Sequence, residues 1–149
     1  MKKILLSSLL LLMYGCQTHQ KPEAKYYENM NDATLVYVLT KNIFTPQGYE
    51  LYRDSEAYYA SKGLNWEAVA EHFIGCTYHS TLKNGTRDDF EILYDLWLSP
   101  PEQRNRIKSE RSKSAIYKAA NLYSAPDLHD CYLITNEWAE NLIKNKQKN

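Results

Sequence analysis

The chain has 149 residues, with 18 basic and 18 acidic side chains and no formal net charge. That balance supplies no field of one sign to steer it onto nucleic acid, so no nucleic-acid partner is assigned. Five glycines and five prolines are few for a loop-rich or all-β protein, and the length suits one domain with one core.

Lys2 and Lys3 precede an apolar stretch from Ile4 to Met13 that only Ser7 and Ser8 interrupt. About ten residues suit the apolar part of an export signal and fall short of the ~20 that span a bilayer. No small-x-small cleavage site lies close behind; Met13-Tyr14-Gly15-Cys16 stands there instead. This run resembles the lipobox of bacterial lipoproteins, in which the cysteine is acylated and becomes the first residue of the mature chain. The resemblance covers the first 16 residues. Gly15 and Cys16 fit the pattern, Met13 stands in for the usual leucine, and Tyr14 departs from the small residue normally found there. It implies a signal peptide over 1–15 and lipidation of Cys16, with several acyl chains giving stable anchorage where one is marginal. Gln17, where an aspartate would imply inner-membrane retention, implies an outer-membrane anchor facing the periplasm. Loss of 1–15 leaves 134 residues with 16 basic and 18 acidic side chains. Residues 16–30 are polar, contain Pro22 and lack apolar periodicity, and so read as a lipidated tether to a single domain over 31–145.

The rest is punctuated as a helical bundle. Asn31 or Asp32 caps a first helix with Leu35, Val38, Leu39, Asn42 and Ile43 as its stripe, ending before Thr45-Pro46. Pro46 suits the first turn of a second helix, which runs to Lys62 and stops at Gly63 with Leu64 placed for a Schellman contact. Asn65 caps a third, buried through Trp66, Val69, Ala70, Phe73 and Cys76-Thr77, closing near Asn84-Gly85. Thr86 with Asp89 forms an acidic capping box ahead of Phe90, Leu93, Tyr94, Trp97 and Leu98. Ser99, Pro100 and Glu102 start another helix, which either runs to Tyr123 or breaks near Ser112. Ala125-Pro126-Asp127 opens the last one, with Leu128, Cys131, Thr135, Trp138 and Leu142 inward. The expected fold is an all-α bundle of five or six helices.

Lipidation of Cys16 leaves Cys76 and Cys131, and export puts both where disulfides persist, so they are expected to pair. Closing a loop of about 55 residues contributes about 4 kcal/mol in the chain-entropy model. A second, local resemblance is to the helix pair D-x-E-L-C … E-L-x-x-R-G-L-x-C of many small bacterial lipoproteins. It rests on Asp32-Ala33-Thr34-Leu35 and Tyr59-Ala60-Ser61-Lys62-Gly63-Leu64, about a quarter of the mature chain. Val36 and Trp66 hold that pattern's two cysteine positions, which implies a lost bridge replaced by apolar packing, and no activity.

No phosphate-cradling glycine loop, G-x-S-x-G elbow or H-E-x-x-H pair is present. His72, Cys76 and His79 share a helical face, and His129 and Cys131 could join them around zinc. The two helical histidines are about 10 Å apart along the axis, too far for one tetrahedral ion, and oxidised cysteines offer neither ligand nor nucleophile. No metal, cofactor or catalytic residue is therefore assigned. Asp88, Asp89, Glu91 and Asp95 read as helix-start stabilisation and solvation. Arg104, Lys108 and Arg111 share one face of a basic helix, a candidate surface for lipopolysaccharide phosphates or an acidic partner. Thirteen tyrosines against three phenylalanines is a heavy bias, and Tyr49, Tyr52, Tyr58 and Tyr59 on the second helix form the candidate partner surface. The expected function is a protein-binding adaptor of an envelope machine of the secretion, pilus or conjugation type, its partner an unidentified envelope protein. The alternative is a periplasmic immunity or inhibitor lipoprotein that neutralises a toxin or wall-degrading enzyme. No enzyme is expected.

Overall fold

A computed structural model of the protein describes residues 26–122 and 125–148, the backbone alone at 125–128. The signal segment, Cys16 and most of the tether lie outside the described residues, as does the side chain of Leu128. The described chain is all-helical: α1 (Asp32–Leu39), a π-helical turn (Thr40–Phe44), α2 (Thr45–Arg53), α3 (Glu56–Ser61), α4 (Trp66–Asn84), α5 (Arg87–Trp97), α6 (Pro101–Glu110), α7 (Lys113–Asn121) and α8 (Ala125–Lys146). Among the described residues no helix is long and apolar enough to cross a membrane.

Several expected signals act where the sequence puts them. The Asn31 side chain accepts from the Thr34 amide at 2.8 Å, and Thr86 and Asp89 close their capping box. Gly63, at φ +70°, ends α3 in a Schellman turn: its amide reaches Ala60 O, and the Leu64 amide reaches Tyr59 O. The helix after Pro101 breaks at Ser112, whose hydroxyl accepts from the Ala115 amide to start α7.

Other expectations are corrected. The first helix does not stop before Thr45-Pro46 but passes through the π-helical turn straight into α2. Proline has no amide hydrogen, and its ring would strike the carbonyl four residues back in a continuous α-helix. The wider turn, with the Thr45 amide bonded to Thr40 O, removes that conflict. Its extra residue also shifts the inward register, so Thr40 and Phe44 are buried while Asn42 is exposed and Ile43 only half-buried. The second helix breaks at Asp54-Ser55, where the Ser55 amide turns back to Tyr52 O. Ser99 does not cap α6. It is buried, and its hydroxyl donates to Asp95 Oδ1 at 3.1 Å.

Two apolar clusters share α4. In the first, Leu35, Val36 and Leu39 of α1 meet Phe90, Ile92 and Leu93 of α5 and Ala119 of α7. In the second, Tyr52, Tyr59, Val69, Ala70 and Phe73 meet Cys131 and Ala139 of α8, with Trp66 against them. Val36 and Trp66 thus pack in different clusters, so they do not stand in for a bridge. The domain also begins earlier than residue 31. Tyr27 is buried in the first cluster, and its hydroxyl donates to Asp95 Oδ2 at 2.6 Å. Arg87 donates to the carbonyls of Tyr27 and Met30, so residues 26–30 belong to the domain rather than to the tether.

Candidate functional site

Cys76 and Cys131 are bridged, with Cα atoms 5.6 Å apart, joining the middle of α4 to α8. Neither sulfur is therefore a free thiolate. His72 lies flat on Trp138, centroids 4.3 Å apart, with Nδ1 3.1 Å from Thr135 Oγ1. Burial lowers its pKa, which favours the neutral imidazole. His79 is exposed, edge-on to Tyr78. Among the described residues no three His, Cys, Asp or Glu side chains converge as metal ligands.

The four nominated tyrosines do not form one surface. Tyr52 and Tyr59 are 2% and 7% exposed and belong to the second cluster, where the Tyr52 ring packs on Phe73 of α4 and Tyr132 of α8. Burial raises the pKa of both hydroxyls, with neighbouring tyrosines adding to the effect. Tyr49 is half-buried, edge-on to Trp66, and its hydroxyl donates to Glu71 Oε1 at 3.3 Å. Tyr58 alone of the four is exposed, at 53%.

The basic face dissolves as well. Arg104 Nε donates to Ser99 O at 2.6 Å, holding the bend between α5 and α6. Arg111 ends α6 instead of continuing its face, and pairs with Asp88 at 2.6 Å. Lys108 remains exposed between them. Of the four acidic residues read as helix-start stabilisation and solvation, Asp89 and Asp95 are buried. Burial pushes the Asp89 carboxyl up, but bonds from the Thr86 hydroxyl and amide and from Lys118 outweigh it and leave its pKa lowered.

What the fold does assemble is a cavity of about 540 Å³ between α1, the π-helical turn, α2 and α4. Three tyrosines, Tyr37, Tyr49 and Tyr78, line it together with Ile74 and Gly75. Thr40, Thr45, Lys41 and Glu71 supply its polar groups. The Thr40 hydroxyl is buried without a hydrogen-bond partner, a state that costs about 1–3 kcal/mol for a typical group. Gly75 sits inside a 19-residue helix, where glycine is about 0.5–1 kcal/mol worse than alanine. A Cβ there would meet nothing within 4 Å, so protein packing does not require the glycine. π-Helical turns inside α-helices occur frequently at functional sites.

Apart from Tyr49, no residue of the cavity is singled out by the sequence as part of a site. The signal that could have found them is spacing: Glu71, Ile74, Gly75 and Tyr78 fall at i, i+3, i+4 and i+7, and Tyr37, Thr40 and Lys41 at i, i+3 and i+4. No protein-family model, curated protein or solved structure matches the chain, so the chemistry of the cavity rests on its own residues.

Proposed function

We propose that the chain is a signal-peptide-bearing lipoprotein, acylated at Cys16, anchored in the outer membrane and facing the periplasm. It acts by binding an envelope protein as an adaptor within a secretion, pilus or conjugation machine, without catalysis. The observation that supports partner binding is a short tyrosine ladder. Tyr58 packs on Tyr59, centroids 5.3 Å apart; Tyr59 leads to Tyr52 and Tyr52 to Tyr132, each at 6.3 Å. The two inner rings are core, while the outer two, Tyr58 and Tyr132, are 53% and 40% exposed. Exposed rings held by a rigid buried base lose little side-chain freedom on contact, and tyrosine is enriched among interface hot spots. A disulfide beside them keeps that base in place.

Capture from envelope extracts, with the anchored chain as bait, tests this. Replacing Tyr58 and Tyr132 together by alanine is expected to weaken capture about tenfold or more without lowering the melting temperature appreciably. Equal capture by the double variant sinks the surface assignment. Cys16→Ser is expected to abolish fatty-acid labelling and release the protein from outer-membrane fractions; a wild-type chain that incorporates no fatty acid sinks the anchor.

A further inference from the structure

The tyrosine-walled cavity shares no residue with the Tyr58–Tyr132 surface, and its charges decide what it can hold. Lys41 projects from the π-helical turn and Glu71 from α4, both exposed, and both line the same space. Among the described residues neither forms an ion pair with the other or with any third group; Glu71 only accepts the Tyr49 hydroxyl. An ammonium and a carboxylate on different walls of an aromatic cavity match a ligand that is itself dipolar. Its carboxylate would meet Lys41, its ammonium would meet Glu71, and its apolar body would lie among the rings. Tyrosine faces add to the attraction for an ammonium. The volume falls within the range of small-molecule pockets. Gly75 leaves backbone bare on the wall, with nothing within 4 Å of where a Cβ would stand.

We propose that this cavity binds a small zwitterion with an apolar body, a free amino acid or short peptide. The proposal depends neither on the lipid anchor nor on the partner surface.

The test is calorimetric titration of the full chain, its disulfide formed, with leucyl-phenylalanine as probe, and an amide chemical-shift map of the complex. Two capped forms accompany it: the N-acetyl dipeptide, which keeps only the carboxylate, and the dipeptide amide, which keeps only the ammonium. Saturable binding is expected at millimolar dipeptide or below, with shifts around Lys41 and Glu71, and each capped form binding about tenfold more weakly or worse. Lys41→Ala should erase the preference for the free acid over the amide, and Glu71→Gln the preference for the free amine over the N-acetyl form. Gly75→Leu, whose side chain enters open space, should abolish binding with no loss in melting temperature. Three results overturn the proposal: no saturable binding, capped forms that bind as well as the dipeptide, or shifts that map elsewhere. The two exposed charge variants keep the test decisive should Gly75→Leu impair folding.

Discussion

The same substitution, glycine to alanine, should have opposite signs at Gly75 and Gly85. Gly75 lies inside α4, and an added Cβ meets no atom within 4 Å. Alanine there recovers helix propensity, about 0.8 kcal/mol, with no steric penalty against it. For a domain of this size that raises the melting temperature by roughly 3 °C. Gly85 follows α4 at φ −92° and ψ 166°, a backbone that alanine adopts freely, so conformation is not the obstacle. Its Cβ, however, would stand 2.2 Å from Phe90 Cε1 and 2.8 Å from Leu122 Cδ1. Phe90 is 1% exposed and enclosed by the first cluster, so its ring has nowhere to retreat. Overpacking of this kind destabilises by about 1–3 kcal/mol. Urea unfolding of both variants measures the effect from the shift in midpoint, provided the slope is unchanged. A destabilised Gly75→Ala would mean that α4 needs the glycine for its own packing, and the residue would no longer point to a ligand. A neutral Gly85→Ala would mean that Phe90 moves freely, against its place in the core.

Removing the bridge with Cys76→Ser and Cys131→Ser is expected to lower unfolding free energy by about 4 kcal/mol in denaturant titrations, from its loop of 55 residues; a change below about 1 kcal/mol refutes the brace. Tyr27→Phe removes the donor to buried Asp95 and should destabilise by about 2 kcal/mol in the same assay; an unchanged midpoint would return residues 26–30 to the tether. Stability should fall with acid in two pH windows. As pH falls below 6.5, the unfolded chain takes up a proton at His72 that the folded chain resists, and stability drops until the lowered folded pKa is passed. Below 3.8 the same holds for Asp89, except that here the folded chain keeps its charge; stability is lost as pH falls through the lowered folded pKa. Asp89→Asn should therefore flatten the lower limb of a stability-against-pH curve, and an unaltered limb refutes the assignment.

Features legible in the sequence are those written in adjacent residues. The Asn31 cap, the Thr86–Asp89 box and the Gly63-Leu64 stop need only local hydrogen bonds, and each forms. The pairing of Cys76 with Cys131 follows once the lipobox resemblance sets Cys16 aside and leaves two sulfurs. Features that depend on a partner far along the chain are not legible in this way. Asp95 looks like a solvated carboxylate until Tyr27 arrives from 68 residues away, and the Asp89 box gives no sign of Lys118, 29 residues on. Tyr52 and Tyr59 do share a side, but that side packs against α4 and α8 from further along the chain, and no glycine or proline warns of the break at Asp54-Ser55 between them. The π-helical turn shifts the inward register from Ile43 to Phe44, which no fixed 3.6-residue period anticipates. The cavity is hidden for the same reason, since its two stripes come from helices about 30 residues apart and each alone passes for a polar face.

α4 explains why these features meet where they do. At about 100° per residue, its side chains sort into three faces roughly a third of a turn apart. Val69, Ala70, Phe73, Thr77 and Thr81 form the buried face. His72 and Cys76 form a second, closed by Trp138, Thr135 and Cys131 of α8. Glu71, Ile74, Gly75 and Tyr78 form the third, the cavity wall. A packed face would have no use for a bare glycine with open space above it, and a purely solvated one would not gather three tyrosines around two unpaired charges. The covalent tie at Cys76 adjoins the helix's weakest residue, Gly75, and anchors α4 at the point where the cavity interrupts its packing. A helix fixed on two faces can keep the third open without collapsing into it, which is the condition a small preformed binding site requires.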